Sequence, residues 1–208
     1  MAILRRSGSI FLMSVATAVT IGLSAGPAFA ATKWTVKPGG PITAKSKTTT
    51  LTDTSSGTKL SCKSSKARGR LKRGSGLSGR HIGRINSLRF TSCSGPLGLT
   101  FTVKGSNFPW RLNAKSFKAG VTKGTITGIH AKLAGTGCTA IVDGTGASKD
   151  NGRVKVTYTN RTHALKVRTG GGNLHIYRVH GCAGLIHSGD ASTFSAKYKV
   201  SPNQRIHT

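Results

Sequence analysis

The stretch from Gly152 to Asn160, "GRVKVTYTN", places Val154, Val156 and Tyr158 on one side and Arg153, Lys155 and Thr157 on the other. A repeat of two is the repeat of a β-strand, with one set of side chains facing a core and the other facing water. The pattern recurs. Leu99, Phe101 and Val103 oppose Thr100, Thr102 and Lys104. Leu165 and Val167 oppose Lys166 and Arg168, and Phe194, Ala196, Tyr198 and Val200 oppose Ser195, Lys197 and Lys199. No stretch after residue 30 holds the 3.6-residue apolar repeat of an amphipathic helix. Gly, Ser and Thr are abundant and turn residues break the chain about every ten positions, as in all-β domains. The predicted fold is all-β: a single antiparallel β-sandwich or barrel-like domain.

The same logic reads the most basic segment, "SKARGRLKRGSGLSGRHIGR" at 65–84. Lys66, Arg68, Arg70 and Lys72 alternate with Ala67, Gly69 and Leu71. A disordered basic arm shows blocks of charge without alternation, so this is predicted to be a strand with a charged outer face. "RGSGLSGR" after it reads as a glycine-rich turn or loop.

Residues 1–30 have the plan of a secretory signal peptide. Arg5 and Arg6 precede an uncharged apolar run from Ile10 to Leu23, and Ala28-Phe29-Ala30 forms a small-x-small cleavage site. The run is shorter than the ~20 residues of a membrane span. The expected product is a secreted, extracellular β domain over 31–208, with 31–47 as an extended lead-in whose Trp34 and Val36 are able to join a sheet edge. An exported chain meets oxidising conditions, so four cysteines suggest two disulfides. Of the three possible pairings the sequential one is favoured, Cys62 with Cys93 and Cys138 with Cys182. No C-x-x-C or C-x-x-H spacing points to zinc.

Charge is the one extreme of the composition: 32 Lys and Arg stand against four acids, for a net charge of +28. The acids are Asp53, Asp143, Asp150 and Asp190, and there is no Glu. Such a balance favours contact with polyanions such as cell-wall polymer, acidic polysaccharide or nucleic acid. The expected contacts are Lys66, Arg68, Arg70, Lys72, Arg73, Arg80 and Arg84. No nucleic-acid module is present, so binding would be electrostatic and without sequence specificity.

Catalytic patterns are sparse. A glycosidase needs two carboxylates, and Asp143 with Asp190 is the pair considered, as a hydrolase of extracellular or cell-wall polysaccharide. All four Asp also sit in turn-like contexts. There is no G-x-S-x-G elbow and no phosphate-cradling Gly loop. His175, His180 and His187 are close in sequence, but residues five apart face opposite sides of a strand, so no metal and no cofactor are expected. "NFPWRL" at 107–112 offers Phe108 and Trp110 beside Arg111, either as core packing or as the docking loop of a secreted inhibitor or protein-binding module. The leading expectation is a non-enzymatic domain.

Four phrases carry a family resemblance: "GPLGLTFTV" (95–103), "GTITGIHAKLAGTGC" (124–138), "DNGRVKVTYTN" (150–160) and "GGNLHIYRVHGCAGLIHSGDASTF" (171–194). With them, the chain from about Trp34 to Val200 resembles an uncharacterised family of small secreted actinobacterial proteins. The resemblance implies export and a β-rich, disulfide-containing fold, and carries over no catalytic residue. Many strand positions that are Thr or Ser in that family are Lys or Arg here, which makes the heavy charge a feature of this member.

Overall fold

Residues 32–146, 149–168 and 170–208 are described by a computed structural model. The expected signal peptide lies outside the described residues. The alternating segments form strands, and the strands are numbered in chain order. They begin with β1 (Lys33–Lys37), β2 (Gly40–Ser46), β3 (Thr49–Asp53), β4 (Lys59–Leu71) and β5 (Gly74–Ser78). Next come β6 (Gly83–Ser94), β7 (Thr100–Ser106), β8 (Trp110–Lys118), β9 (Val121–Gly135) and β10 (Cys138–Asp143). The last are β11 (Gly152–Thr159), β12 (Ala164–Arg168), β13 (His175–Gly181), β14 (Ser192–Ser201) and β15 (Arg205–His207). Each of the sixteen strand pairings is antiparallel. No helix among the described residues is long and apolar enough to cross a membrane.

The choice between sandwich and barrel falls to the barrel, because the pairings close on themselves. One circuit runs β9–β11–β12–β14–β2–β4–β6–β8 and back to β9. A second runs β9–β10–β13, crosses to the start of β14 through the His175–Ala191 bridge, and returns through β3, β4, β6 and β7. Four strands, β4, β6, β9 and β14, belong to both circuits. They are 13, 12, 15 and 10 residues long, against a usual length of about five or six. Their length follows from pairing with different neighbours at their two ends. In β4, for example, Ser65–Leu71 pairs with β2 and Lys59–Cys62 with β3. Two rings are thereby stacked on shared staves, and closure leaves few free edges.

Two expectations are corrected. The lead-in of 31–47 holds two strands, and Trp34 and Val36 are 2% and 0% exposed. The glycine-rich segment after Arg73 is itself β5, paired with β1. β1 lies between β15 and β5 in a three-stranded sheet, and Trp34 and Val36, two residues apart, point to the same buried face. This sheet is tied to the first ring. Thr122 Oγ1 and Asn160 Nδ2 donate to the Ile206 carbonyl at 3.3 and 2.9 Å, and the Tyr158 hydroxyl donates to the Gln204 carbonyl at 2.9 Å. Trp34 is the largest fully buried side chain. Trp34→Ala is expected to lower stability by about 3–5 kcal/mol through lost burial and the cavity left behind, as read by urea denaturation.

Both expected disulfides are present, Cys62–Cys93 and Cys138–Cys182. Cys62 and Cys93 are direct cross-strand partners on β4 and β6. Farther along this pair the backbones come so close that a Cβ on Gly69 would collide with the Arg84 carbonyl. That approach explains a glycine within an otherwise regular basic strand.

Candidate functional site

Pairing places the outward cations of six neighbouring strands directly opposite one another. Lys199 of β14 faces Lys45 of β2, which faces Lys66 of β4. Lys66 faces Arg89 of β6, Arg89 faces Lys104 of β7, and Lys104 faces Lys132 of β9. All six are exposed. Adjacent strands are about 4.8 Å apart, so the row runs ~24 Å across the barrel wall. Among the described residues, none of the six has a carboxylate within ion-pair distance. Lys199 Nζ donates instead to the Thr162 carbonyl at 2.8 Å.

A second row crosses the first ring. Arg70 faces Arg84, Arg84 faces Arg111, and Arg111 and Arg153 face Thr127 from its two sides. Near it, His81 is held below the ordinary imidazole range by desolvation and by the charges of Arg80, Arg111 and Lys72. Arg111, Thr127 and Arg153 also line a polar depression of about 500 Å³ with Asn107, Asp150 and Asn173.

Of the seven contacts expected from sequence, Lys66, Arg68 and Arg70 share the outer face of β4, where both rows cross it. Arg84 joins the second row opposite Arg70, and Lys72 and Arg80 meet around His81. Arg73 is exposed in the turn before β5. Lys45, Arg89, Lys104, Lys132 and Lys199 were missed. Each lies on a different strand, and only the outward positions of Lys104 and Lys199 were legible as alternation.

A second cluster lies beside the end of the first row. His130 sits two residues before Lys132 on β9, and its Nδ1 is 3.1 Å from both Asp143 Oδ2 and Asp150 Oδ1. Asp143 is fully buried. Its Oδ1 accepts from the N–H groups of Gly144 (2.6 Å) and Asn151 (3.2 Å), and its Oδ2 from that of Asp150 (3.2 Å). Asn107 Nδ2 donates to Asp150 Oδ1 at 2.7 Å. The turn behaviour read from the sequence is thus realised, with Asp143 gathering the segment that joins β10 to β11. His130, Asp143 and Asp150 each offer one ligand atom, all within 4.8 Å of one another, a nitrogen–oxygen set that a first-row divalent cation could accept. Sequence reasoning weighed His175, His180 and His187 and passed over His130. His130 lies on an outward position but is 5% exposed.

Burial alone would raise the Asp143 pKa. The Gly144 N–H, the His130 side chain and the Asp150 N–H outweigh it and hold the carboxyl below its ordinary value. A lowered folded-state pKa contributes stability that is fully present above the unfolded value near 3.8 and is lost as pH falls through the folded one. Asp143→Asn is expected to lower stability by about 2 kcal/mol at neutral pH. The difference from wild type should shrink toward pH 3 and below, as read by urea denaturation across pH.

Asp143 and Asp190 do not share partners. β13 stands between them, since Asp143 pairs with His175 and His175 bridges to Ala191. Asp190 accepts from the His187 N–H at 2.6 Å and also meets the Asp53 and Ser55 side chains, contacts that lower its pKa against the smaller effect of desolvation. Trp110 is 4% exposed, stacks on Phe108 at 4.8 Å and donates from Nε1 to the Ser106 carbonyl at 2.9 Å. Its side chain belongs to the barrel wall, and the exposed positions of this segment are Asn107, Pro109 and Arg111. No known family, curated protein or solved structure matches this chain.

Proposed function

We propose that the chain is a secreted, non-enzymatic β-barrel that adsorbs to anionic polymers through its cross-strand cations. The observation that carries this reading is the unbroken row Lys199, Lys45, Lys66, Arg89, Lys104 and Lys132. Like charges directly opposite on a sheet are destabilising, and this row stacks five such contacts with no acid among them. A linear polyanion laid across the strands would meet a cation at each step of about 4.8 Å and relieve the repulsion. Releasing its condensed counterions would drive the association. The second row, with Arg70, Arg84, Arg111 and Arg153, widens the basic surface. The two disulfides suit an oxidising, extracellular setting.

Binding of this kind depends on spacing and charge, not on base or sugar identity. The purified, oxidised protein should therefore be retained on both a DNA resin and an acidic polysaccharide resin, and salt should elute it from both. Retention on neither resin at low salt would remove this reading. Hydrolysis of either polymer, lost on Asp143→Asn or Asp190→Asn, would replace it with the hydrolase reading.

A further inference from the structure

The side chains inside the two rings do not fill the barrel. A central cavity of about 100 Å³ is walled by Ile42, Ala67, Leu88, Val103 and Leu133 among others. A second, also about 100 Å³, lies beside the Cys138–Cys182 disulfide and shares Leu51, Leu60 and Leu133 with the first. A third, of about 60 Å³, lies toward the three-stranded sheet and shares Ile42, Leu112, Leu165 and Val200 with the central one. The second and third share no lining residue, so the three stand in series with the central one between them.

Two hydroxyl-bearing side chains, Thr49 and Tyr198, line the otherwise apolar central cavity. Thr49 is 1% exposed and lines it, and its Oγ1 has no hydrogen-bond partner. Ser65 and Tyr198, also on the inner face, satisfy each other at 2.9 Å. A buried hydroxyl left unpaired is unfavourable. Water is a poor remedy, because an ordered buried water needs about two to four polar partners and this wall offers only Thr49 and a Tyr198 hydroxyl already bonded to Ser65. A charged head group would be costly to bury there.

We propose that this lumen binds a small neutral amphiphile, a short unbranched alkyl chain bearing a hydroxyl. The hydroxyl bonds to Thr49 Oγ1, and the chain runs from the central cavity into a neighbouring one. A chain fits better than a ring, since each void is smaller than the roughly 150 Å³ that accepts benzene in an engineered cavity, while a chain can extend from one void of the series into the next. Leu51, Leu60 and Leu133 line both the central and the second void, so a chain that joins the two passes between these side chains. Apart from Arg68, none of the cations of the two rows or of the expected contacts lines this lumen.

The test is isothermal titration of the oxidised protein with 1-hexanol. Saturable, one-to-one uptake is expected. Ala67→Leu fills the central cavity from β4 and should weaken uptake more than tenfold without lowering the thermal midpoint. Leu133→Phe fills the same space from β9 and serves if the first variant does not fold. Thr49→Val keeps the shape and removes the hydroxyl. It should raise the midpoint of the unliganded protein and weaken 1-hexanol by about five- to tenfold. Absence of saturable uptake by the wild type, or uptake unchanged in a folded filled variant, would overturn the proposal. Unchanged affinity in Thr49→Val would overturn the role given to Thr49.

Discussion

Replacing Cys138 and Cys182 together by Ala is expected to lower the free energy of unfolding by about 4 kcal/mol. The bond closes a separation of 44 residues, and in the chain-entropy view a longer loop leaves more freedom to the unfolded chain once it is opened. The location adds to the effect. Cys138 begins β10 and Cys182 follows β13, and this strand pair completes the second ring. Across the gap from β13 to β14 the ring has a single bridge, His175 to Ala191. Loss of the disulfide should therefore loosen the second ring first, and amide exchange should rise in β10 and β13 before β11 and β12. Removing Cys62 and Cys93, separated by 31 residues, should also lower stability by about 4 kcal/mol. That bond lies within the long β4–β6 ladder, so it should cause less local opening. Denaturant titration with hydrogen exchange reads both effects.

The second large effect joins a loss of binding to a gain in stability. Changing Lys66, Arg89, Lys104 and Lys132 together to Gln removes four of the five like-charge contacts in the first row. Each such contact costs a few tenths of a kcal/mol or more, so the variant should be more stable than wild type by about 1–2 kcal/mol at low ionic strength. The gain should fade with salt as screening shortens the reach of the charges. Polyanion affinity should fall at the same time, and its salt exponent should drop by about 3 to 4, near 0.9 per phosphate contact removed. Residues kept only for solubility would not be expected to show this opposition. If they served the fold, stability would fall along with affinity.

The faces of individual strands were legible in the sequence because a strand repeats every two residues. Val154, Val156 and Tyr158 are buried while Arg153 and Lys155 are exposed, and Ala67 and Leu71 are buried between Lys66, Arg68 and Arg70. That four cysteines form two disulfides was legible from their even number, while the sequential pairing was a preference among three that the strand register settles. The row of cations was not legible, because it is a property of register. Lys45, Lys66 and Arg89 become neighbours only through pairings fixed by ring closure and by strands long enough to serve two rings. β1, β2 and β5 were hidden by Pro38, Gly39, Gly40 and Pro41 and by the glycines around Leu77, which read as punctuation when taken locally. His130 was hidden for another reason. Its outward position in "TGIHAKL" predicts exposure, and the carboxylates that cover it arrive from Asp143 at the end of the next strand and from Asp150 after it.

The most direct measurement of the central claim is a salt titration by fluorescence anisotropy. It would compare the oxidised wild type with the four-residue variant on a DNA duplex and on an acidic polysaccharide. Wild type is expected to bind both, losing about a thousandfold in affinity on DNA between roughly 50 and 200 mM salt if six phosphates are engaged. The variant should bind more weakly, with the shallower dependence given above. Failure of the wild type to bind either polymer at the lower salt, or equal binding and equal salt dependence in the two proteins, would contradict the account.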